Sequence, residues 1–415
     1  MSNKNSMFRA GAMAAWLALS AAGILLAGVT VEAVAQQAKG GWRKELADKA
    51  ADAQAAGQKG NYSEAIRLLK EAKTKAPLSP QEEQGINELL IWAASGAKDH
   101  RLVLQTVDER LATGRVTGAD LARKLRLKAT TQYSLNDYRG AAATFEKLAA
   151  QGALTADDLT LLATSQVQLR DYGKAATTLE RAIAANDKAG RSSKNTRLLE
   201  MLNKAYFETK NDAKRMQTLH RLMAVAPSKS TFDQLANAYE VQSARDPVVM
   251  INVYRLGAAK NVLSAEHYAK YSEAALDLTS PGEAVAMIEK GMASGAIKKD
   301  DRNNRLLADA KSQLELMKKR LPQQEAEARA IQTGEPEAKL ATAYFTLKNY
   351  SKASEAARRA VEKGNLKRAD DVNMLLGISL ANTKKPAEAK KAFTAAAAAN
   401  GKSRGIADLW SSLTG

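Results

Sequence analysis

Apolar and small residues recur along this chain at intervals of three and four positions, the spacing that predicts amphipathic helices. The stretch LNDYRGAAATFEKLAA, Leu135–Ala150, is nearly repeated by QLRDYGKAATTLERAI, Gln168–Ile183. Aligned on Tyr138 and Tyr172, the two copies are 34 residues apart. Neither copy contains recognisable chemistry, so the repetition has to be explained by structure first.

Related segments recur along most of the chain and mark further helical hairpins. Their turns are centred on Tyr62, Asp212, Pro281, Tyr350 and Pro386, with weaker copies around His100 and Pro247. The spacing predicts about nine or ten hairpins. The polar stretch 186–195 is expected to lengthen one loop between repeats.

The repeat resembles the tetratricopeptide repeat in its residues as well as in its period. In the copy around Tyr172, small residues that let two helices approach alternate with larger ones that fill the space beside them. These positions are Leu162, Ala163, Ala175, Leu179 and Ala182. The resemblance implies an all-α fold, a right-handed superhelix (α-solenoid) whose neighbouring hairpins bury the face that one hairpin cannot cover alone.

Composition agrees with an all-α fold. Hydrophobic residues make up 45% of the 415 residues, but aromatic residues only 5%, and no convincing run of strand-forming residues occurs. We expect a signal segment at 1–35, a first repeat array at 42–227 and a second at 228–415, continuous with the first.

The first residues have the pattern of an export signal. Lys4 and Arg9 precede an uncharged stretch, Ala10–Val31, and Ala33-Val34-Ala35 offers a cleavage site before Gln36. The stretch is also long enough for an uncleaved inner-membrane anchor facing the periplasm. Cleavage is favoured because small residues lie where signal peptidase needs them, and we expect a periplasmic protein.

The chain is basic, with a formal net charge of +17, and it has no cysteine. Export makes nucleic acid an unexpected partner, whereas peptidoglycan, lipopolysaccharide or another anionic envelope surface would attract such a charge. The basic residues are spread along the chain, which favours the simpler interpretation that they solvate helix faces. Without cysteine the chain forms neither a disulfide nor a lipid-modified thiol.

A search for catalytic or metal-binding groups finds little. The only histidines, His100, His220 and His267, lie in separate repeats, and no metal-binding pair or nucleotide-binding loop occurs. We interpret His220 as a packed or surface residue. The acidic pairs at 157–158, 300–301 and 370–371 are expected to begin helices, where carboxylates favour exposed N–H groups. No enzyme activity, metal or cofactor is expected.

A partner is expected on the concave face, which first helices line. Residues one or two turns apart on those helices give three candidate pairs for binding an extended acidic or apolar peptide. They are Arg126 and Tyr133, Lys204 and Phe207, and Thr342 and Phe345. Packing between repeats is the alternative role for Phe207 and Phe345, and it is favoured.

Two C-terminal stretches carry a narrower resemblance. They are AVAMIEKGMASGAIKKDDRNNRLLADA, Ala284–Ala310, and LATAYFTLKNYSKASEAARRAVEKGNLKRADDVNMLLGISL, Leu340–Leu380, and they are followed by a helix leading to Trp410. These stretches resemble TtpC-like proteins, periplasmic tetratricopeptide proteins that accompany TonB systems. The intervening Leu314–Lys339 lacks a clear repeat turn.

The narrower resemblance implies a non-catalytic accessory of a TonB, ExbB and ExbD complex, which drives nutrient uptake through outer-membrane receptors. A basic scaffold that contacts peptidoglycan or lipopolysaccharide is the alternative. Salt distinguishes the two, because binding to a polyanion weakens as ionic strength rises and a packed complex largely survives.

Overall fold

The computed structural model describes residues 41–75, 77–192 and 195–415. The predicted signal segment at 1–35 lies outside these residues. The described part of the chain forms twenty helices and no strand, which confirms the all-α prediction and agrees with nine or ten helical pairs. Among those helices none is both long and apolar enough to cross a membrane.

The first of two compact units ends at Thr209. Each of its helices contacts the next one along the chain. The helices are α1 (Lys44–Gln58), α2 (Tyr62–Lys73), α3 (Pro80–Gly96), α4 (His100–Ala112), α5 (Gly118–Ser134), α6 (Tyr138–Ala150), α7 (Ala156–Gln168), α8 (Tyr172–Lys188) and α9 (Asn195–Glu208).

The second unit runs from Lys210 to Gly415, and its consecutive helices are also in contact. Its helices are α10 (Asp212–Val225), α11 (Lys229–Gln242), α12 (Pro247–Ala259), α13 (Ala265–Asp277), α14 (Pro281–Ala293), α15 (Asp301–Ala330), α16 (Glu335–Thr346), α17 (Tyr350–Lys363), α18 (Ala369–Asn382), α19 (Pro386–Ala399) and α20 (Arg404–Leu413). The boundary predicted from sequence, at 227/228, remains a prediction.

The turns of the repeat follow from two adjacent residues. Asn136 adopts a left-handed conformation with φ of 60°, and the Asp137 side chain then accepts a hydrogen bond from the Gly140 N–H to cap α6. The same two steps recur before α8, where Arg170 has φ of 59° and Asp171 is the cap. A left-handed residue reverses the chain and an Asx cap restarts the helix, so the polar dipeptide before each tyrosine encodes the hairpin.

The small and large residues of the repeat are buried as predicted. Ala163 and Ala175 are fully buried, and Leu162 and Leu179 are buried as well. The weaker copies are also helical, since α4 begins at His100 and α12 at Pro247. The acidic pairs begin α7, α15 and α18 as expected.

Two local expectations need correction. The 69 residues between the turns at Pro281 and Tyr350 predict one further repeat turn, although Leu314–Lys339 shows no clear turn in its sequence. The structure has no turn there, since α15 is one helix of 30 residues with Pro322 inside it. Only Ala310 and Ala328 of this helix are buried, so few packing contacts are present that could stabilise a turn within it. The polar stretch 186–195 is only partly a loop, because α8 continues to Lys188. Asn186 is buried and its amide donates to the Asn195 side chain at 3.1 Å.

Candidate functional site

The second unit is closed by its last helix. The Trp410 indole N–H of α20 donates to the Asn252 carbonyl oxygen of α12 at 3.0 Å, although the residues are 158 positions apart. The Trp410 ring also stacks on Phe393, with ring centroids 5.9 Å apart. A second long-range contact joins the Arg368 guanidinium to the Asp246 carboxylate at 3.1 Å. Helices from both ends of the unit therefore border one interior.

That interior contains a cavity of about 760 Å³. It is lined by residues of α12, α13, α14, α16, α17, α18, α19 and α20 and is large enough for a small organic ligand. Apolar side chains form much of the wall. These include Leu256, Met287, Phe345, Tyr350, Ile378, Trp410 and Leu413.

A buried ion pair lies at the cavity wall. The Arg255 guanidinium of α12 donates twice to the Glu283 carboxylate of α14, at 3.0 and 2.7 Å. Glu283 also accepts hydrogen bonds from the hydroxyls of Tyr271 at 2.6 Å and Ser280 at 2.7 Å. Asn252 accepts from Arg255 at 3.0 Å. The pair is hydrogen-bonded on both sides, as a buried charge pair has to be.

These contacts shift the ionisation of the pair in favour of the charged forms. Burial alone would raise the pKa of Glu283, but the Arg255 charge and the hydrogen bonds from Arg255, Tyr271 and Ser280 outweigh it and hold this pKa below its usual value. Burial opposes the charge on Arg255 as well, and Glu283 nevertheless raises the Arg255 pKa. Burial and the Glu283 charge raise the pKa of Tyr271, which stays protonated and donates.

Close backbone packing keeps these groups in position. A Cβ atom added to Gly282 would lie 2.3 Å from the Thr346 carbonyl oxygen, so α14 and the end of α16 meet where only glycine fits. The Glu283 N–H donates to the Thr346 hydroxyl at 3.1 Å. The Arg255 guanidinium lies 4.7 Å from the centroid of the Phe345 ring, a cation–π distance.

Asp371 of α18 adds a second carboxyl group to this environment. Burial raises its pKa, and the nearby Arg255 charge acts in the opposite direction. Within the described residues its Oδ1 atom is buried and has no hydrogen-bond partner. The Arg255 charge therefore acts to lower the pKa of carboxyl groups on two different helices, Glu283 on α14 and Asp371 on α18.

Basic residues surround the cavity. Four lysines line it and form no ion pair with any carboxylate of the described residues. They are Lys260, Lys290, Lys348 and Lys384. Lys290 donates to the Asn261 side chain at 3.5 Å. Glu283 is the one acidic residue among the described lining residues, and Arg255 neutralises it, so the lining carries a net positive charge.

The predicted binding residues of the first unit occupy α5 and α9. The Arg126 side chain is only 18% exposed and donates to the Asp158 carboxylate at 2.9 Å, so it joins α5 to α7. Tyr133 packs edge-on against Tyr138, and burial raises its pKa. Lys204 lies 5.9 Å from the centroid of the Tyr172 ring. Phe207 is 59% exposed.

The two predicted residues of the second unit both lie on α16. Thr342 donates its hydroxyl to the Ala338 carbonyl at 3.1 Å, a contact within the helix. Phe345 is 5% exposed, packs edge-on against Tyr350 and lines the cavity. It is therefore a buried aromatic residue beside a cation, not an exposed one. The role of all six residues in binding stays a prediction.

Sequence reasoning missed the ion pair of the cavity. One signal was present, since Arg255 is the only charged residue in the largely apolar run Val248–Ala259. A lone arginine in a buried helix needs a partner carboxylate. The sequence alone did not show that Glu283 is that partner, because 28 positions separate them.

His220 and His267 pack against aromatic rings and are hydrogen-bonded to neighbouring side chains. His220 stacks on Tyr239 and forms a 2.8 Å hydrogen bond with its hydroxyl, and burial lowers the His220 pKa to about 4. His267 packs edge-on against Phe232 and is hydrogen-bonded to Ser264 at 2.9 Å. In the described ranges no three histidine, aspartate or glutamate side chains form a group that could hold a metal ion.

Comparison with known proteins identifies the repeats. The sequence profile of the tetratricopeptide repeat matches residues 126–190 and 338–404, one stretch in each unit. No curated protein matches the chain. These matches confirm the tetratricopeptide resemblance in both stretches, whereas the TtpC-like resemblance stays a prediction.

Several solved structures are similar in part. A tetratricopeptide repeat protein from Parabacteroides merdae shares 15% identity and a TM-score of 0.35, over 65% of this chain and 99% of that one. YrrB, described as having an unusual peptide-binding site, shares 15% identity and a TM-score of 0.32, over 59% of this chain and 97% of that one.

The TPR2AB domain of yeast Sti1 in complex with pHSP90 shares 14% identity and a TM-score of 0.24, over 72% of this chain and 100% of that one. Stacked hairpins of the tetratricopeptide type present surfaces for protein–protein interaction. By the sequence-profile match alone, the chain carries tetratricopeptide repeats at residues 126–190 and 338–404, one stretch in each of its two helical units.

Proposed function

We propose that this protein is a non-catalytic periplasmic scaffold and an accessory of a TonB, ExbB and ExbD complex. The observation that carries the proposal is the location of the two TtpC-like stretches. Ala284–Ala310 and Leu340–Leu380 lie on α14 to α18, so both fall in the second unit. Residues of both stretches line the same cavity, including Met287 and Phe345.

Export supports the proposed location. The basic residues, apolar stretch and A-x-A site at 1–35 are those of a signal peptide, and release of the chain would place both units in the periplasm. An uncleaved anchor would leave the same units facing the same compartment. In either case the repeats would meet the periplasmic segments of TonB and ExbD.

The proposed role needs surface area and orientation but no chemistry. A repeat array binds its partner over several hairpins, and the partner is held in one orientation by the stacked helices. Exposed Phe207 on α9 supplies an apolar contact of the kind that such interfaces bury.

The test is site-specific photocrosslinking in living, nutrient-limited cells. A photoreactive phenylalanine replaces Phe207 in one strain and Leu316, an exposed residue of α15, in a matched strain. The captured proteins are purified with an antibody against this protein and identified by mass spectrometry. A further control is an unrelated periplasmic protein that carries the same photoreactive group.

Recovery of TonB, ExbB or ExbD above the control protein would support the accessory role. Recovery from Phe207 but not from Leu316 would place the contact on the first unit. Absence of all three components from both strains would overturn the TonB assignment.

The net charge of +17 favours a second candidate function, binding to peptidoglycan or lipopolysaccharide. Sedimentation of purified protein with isolated peptidoglycan, repeated from about 50 to about 500 mM salt, separates the two functions. Binding that collapses over this range would support the envelope binder. Salt-resistant binding to a protein component would contradict it.

A further inference from the structure

The cavity of the second unit has the dimensions of a ligand site. Its volume of about 760 Å³ lies within the range of pockets that hold small organic molecules. Phe345 of α16 and Trp410 of α20 supply aromatic surface to its wall. An apolar molecule placed there would be removed from water on several sides, which favours binding by about 25 cal/mol per Å² of apolar surface buried.

The charge of the lining selects for an anion. Lys348 and Lys384 belong to the turns before α17 and α19, and both have the left-handed backbone of the repeat turn, with φ of 58° and 60°. Their N–H groups donate to the Phe345 and Ala381 carbonyls at 2.8 and 3.1 Å, so their backbone positions are fixed. Lys260 and Lys290 add two more positive charges. No acidic side chain of the lining is left to neutralise them, since Glu283 is paired with Arg255.

The walls are poorly suited to a peptide backbone. An extended peptide brings one N–H and one C=O group per residue, and these need partners when they leave water. Asn382 is the one lining residue with a side-chain amide. The Thr346 hydroxyl already accepts a hydrogen bond from the Glu283 N–H. A ligand without backbone amides loses less on entering this cavity.

We infer that this cavity binds a small amphiphilic anion, with its apolar body against Phe345, Ile378 and Trp410 and its acidic group near the surrounding lysines. The ligand class is a carboxylate or phosphate attached to an apolar group. This inference goes beyond the scaffold function and does not depend on the identity of the protein partner. Because the C-terminal end of α20 forms part of the cavity wall, the bound molecule would contact the residues that close the second unit.

Calorimetric titration of the full folded chain with decanoate tests the charge requirement. Decylammonium, which has the same apolar chain and the opposite charge, is the matched probe. We expect saturable binding of decanoate, with at least about tenfold weaker binding of decylammonium, a difference of about 1.4 kcal/mol. Equal binding of the two probes, or no binding of decanoate at concentrations up to about 1 mM, would overturn the inference.

Two sets of variants locate the site. The double variant Lys348→Ala/Lys384→Ala should weaken decanoate binding by roughly fivefold to tenfold, because each lost charge removes a partly solvated attraction. The matched double variant Lys298→Ala/Lys299→Ala removes two exposed lysines outside the cavity and should leave the affinity within about twofold. Equal losses in both double variants would mean non-specific attraction.

Ala381→Phe fills the cavity and should abolish decanoate binding while the urea midpoint shows that the chain is folded. If that variant fails to fold, Met287→Trp on α14 fills the cavity from another wall and should also abolish decanoate binding. Retained decanoate affinity in a folded filling variant would contradict the location. A short acidic peptide that binds more tightly than decanoate, and loses its affinity in the same variants, would replace the inference with a peptide site.

Discussion

The Trp410 indole N–H donates to the backbone carbonyl oxygen of Asn252 at 3.0 Å and so joins the last helix to one that precedes it by 158 positions. The Trp410 side chain is nearly buried and also stacks on Phe393. One residue therefore supplies both a polar link and apolar packing where the second unit closes. A helical stack that meets itself in this way gains contacts that neighbouring repeats alone do not provide.

We expect Trp410→Phe to destabilise the second unit by about 1–3 kcal/mol, since the hydrogen bond is lost and a smaller ring leaves unfilled space. Urea denaturation followed by circular dichroism measures the change. Leu316→Ala on exposed α15 is the control and should change the stability by less than about 0.5 kcal/mol. Equal effects of the two substitutions would show that the closing contact contributes little.

The Arg255–Glu283 pair gives a sharper test of the interior. Arg255→Met should cost about 3–5 kcal/mol, because it leaves the Glu283 carboxylate buried without its cation. Adding Glu283→Gln should recover part of this loss, since no unpaired charge then remains and Tyr271 keeps a hydrogen-bond acceptor. The free energies of unfolding of the wild type, both single variants and the double variant form the cycle. Simple addition of the two single effects would contradict a direct coupling.

Close packing at Gly282 predicts a steric effect. Gly282→Ala places a Cβ atom 2.3 Å from the Thr346 carbonyl oxygen, so α14 and α16 have to move apart at a cost of about 1–3 kcal/mol. Gly173→Ala on α8 is the matched control, because nothing lies within 4 Å of its added Cβ atom. Thermal denaturation should show a lower Tm for the first variant and an equal or higher Tm for the second. An unchanged Tm for Gly282→Ala would show that the contact relaxes freely.

The pKa of His220 predicts how stability depends on pH. Burial lowers this pKa to about 4 in the folded chain, while the unfolded chain has an ordinary histidine pKa of about 6.5. Between these two values the unfolded state binds more protons, so stability should fall as the pH is lowered from about 6.5 towards 4. The loss attributable to His220 should be at most roughly 3 kcal/mol.

His220→Gln removes this titration and keeps a polar group near Tyr239. The slope of stability against pH in that window should be smaller in this variant than in the wild type. Urea unfolding at a series of pH values measures both slopes. A slope unchanged by His220→Gln would assign the pH dependence to other groups.

The predicted export signal implies a processed N-terminus. In cell fractions we expect the periplasmic protein to begin at Gln36, because signal peptidase cleaves after an A-x-A site such as Ala33-Val34-Ala35. N-terminal sequencing of the periplasmic protein measures this directly. A protein that keeps Met1 or Ser2 and pellets with the inner membrane would indicate the uncleaved anchor instead.

Sequence by itself determined the helices and the repeat. Asp137 and Asp171 cap helices because an Asx side chain satisfies exposed N–H groups at any site where the backbone turns, whatever surrounds it. Burial of Ala163 and Ala175 was equally predictable, since small residues at a fixed interval are needed wherever two helices approach closely. These are local properties, and a chain shows them before its distant parts meet.

Tertiary structure alone decided the interior of the second unit. The partner of Arg255, the burial of Phe345 and the contact of Trp410 with Asn252 depend on how the rotations between successive helices add up over the unit. No periodicity encodes that sum. The long helix α15 also could not be predicted from the period. The period predicts a turn within it, but few buried contacts stabilise a turn there and the helix continues. The hydrophobic period fixes which residues face a neighbouring helix, and only the accumulated packing geometry brings residues far apart in the sequence together around one cavity.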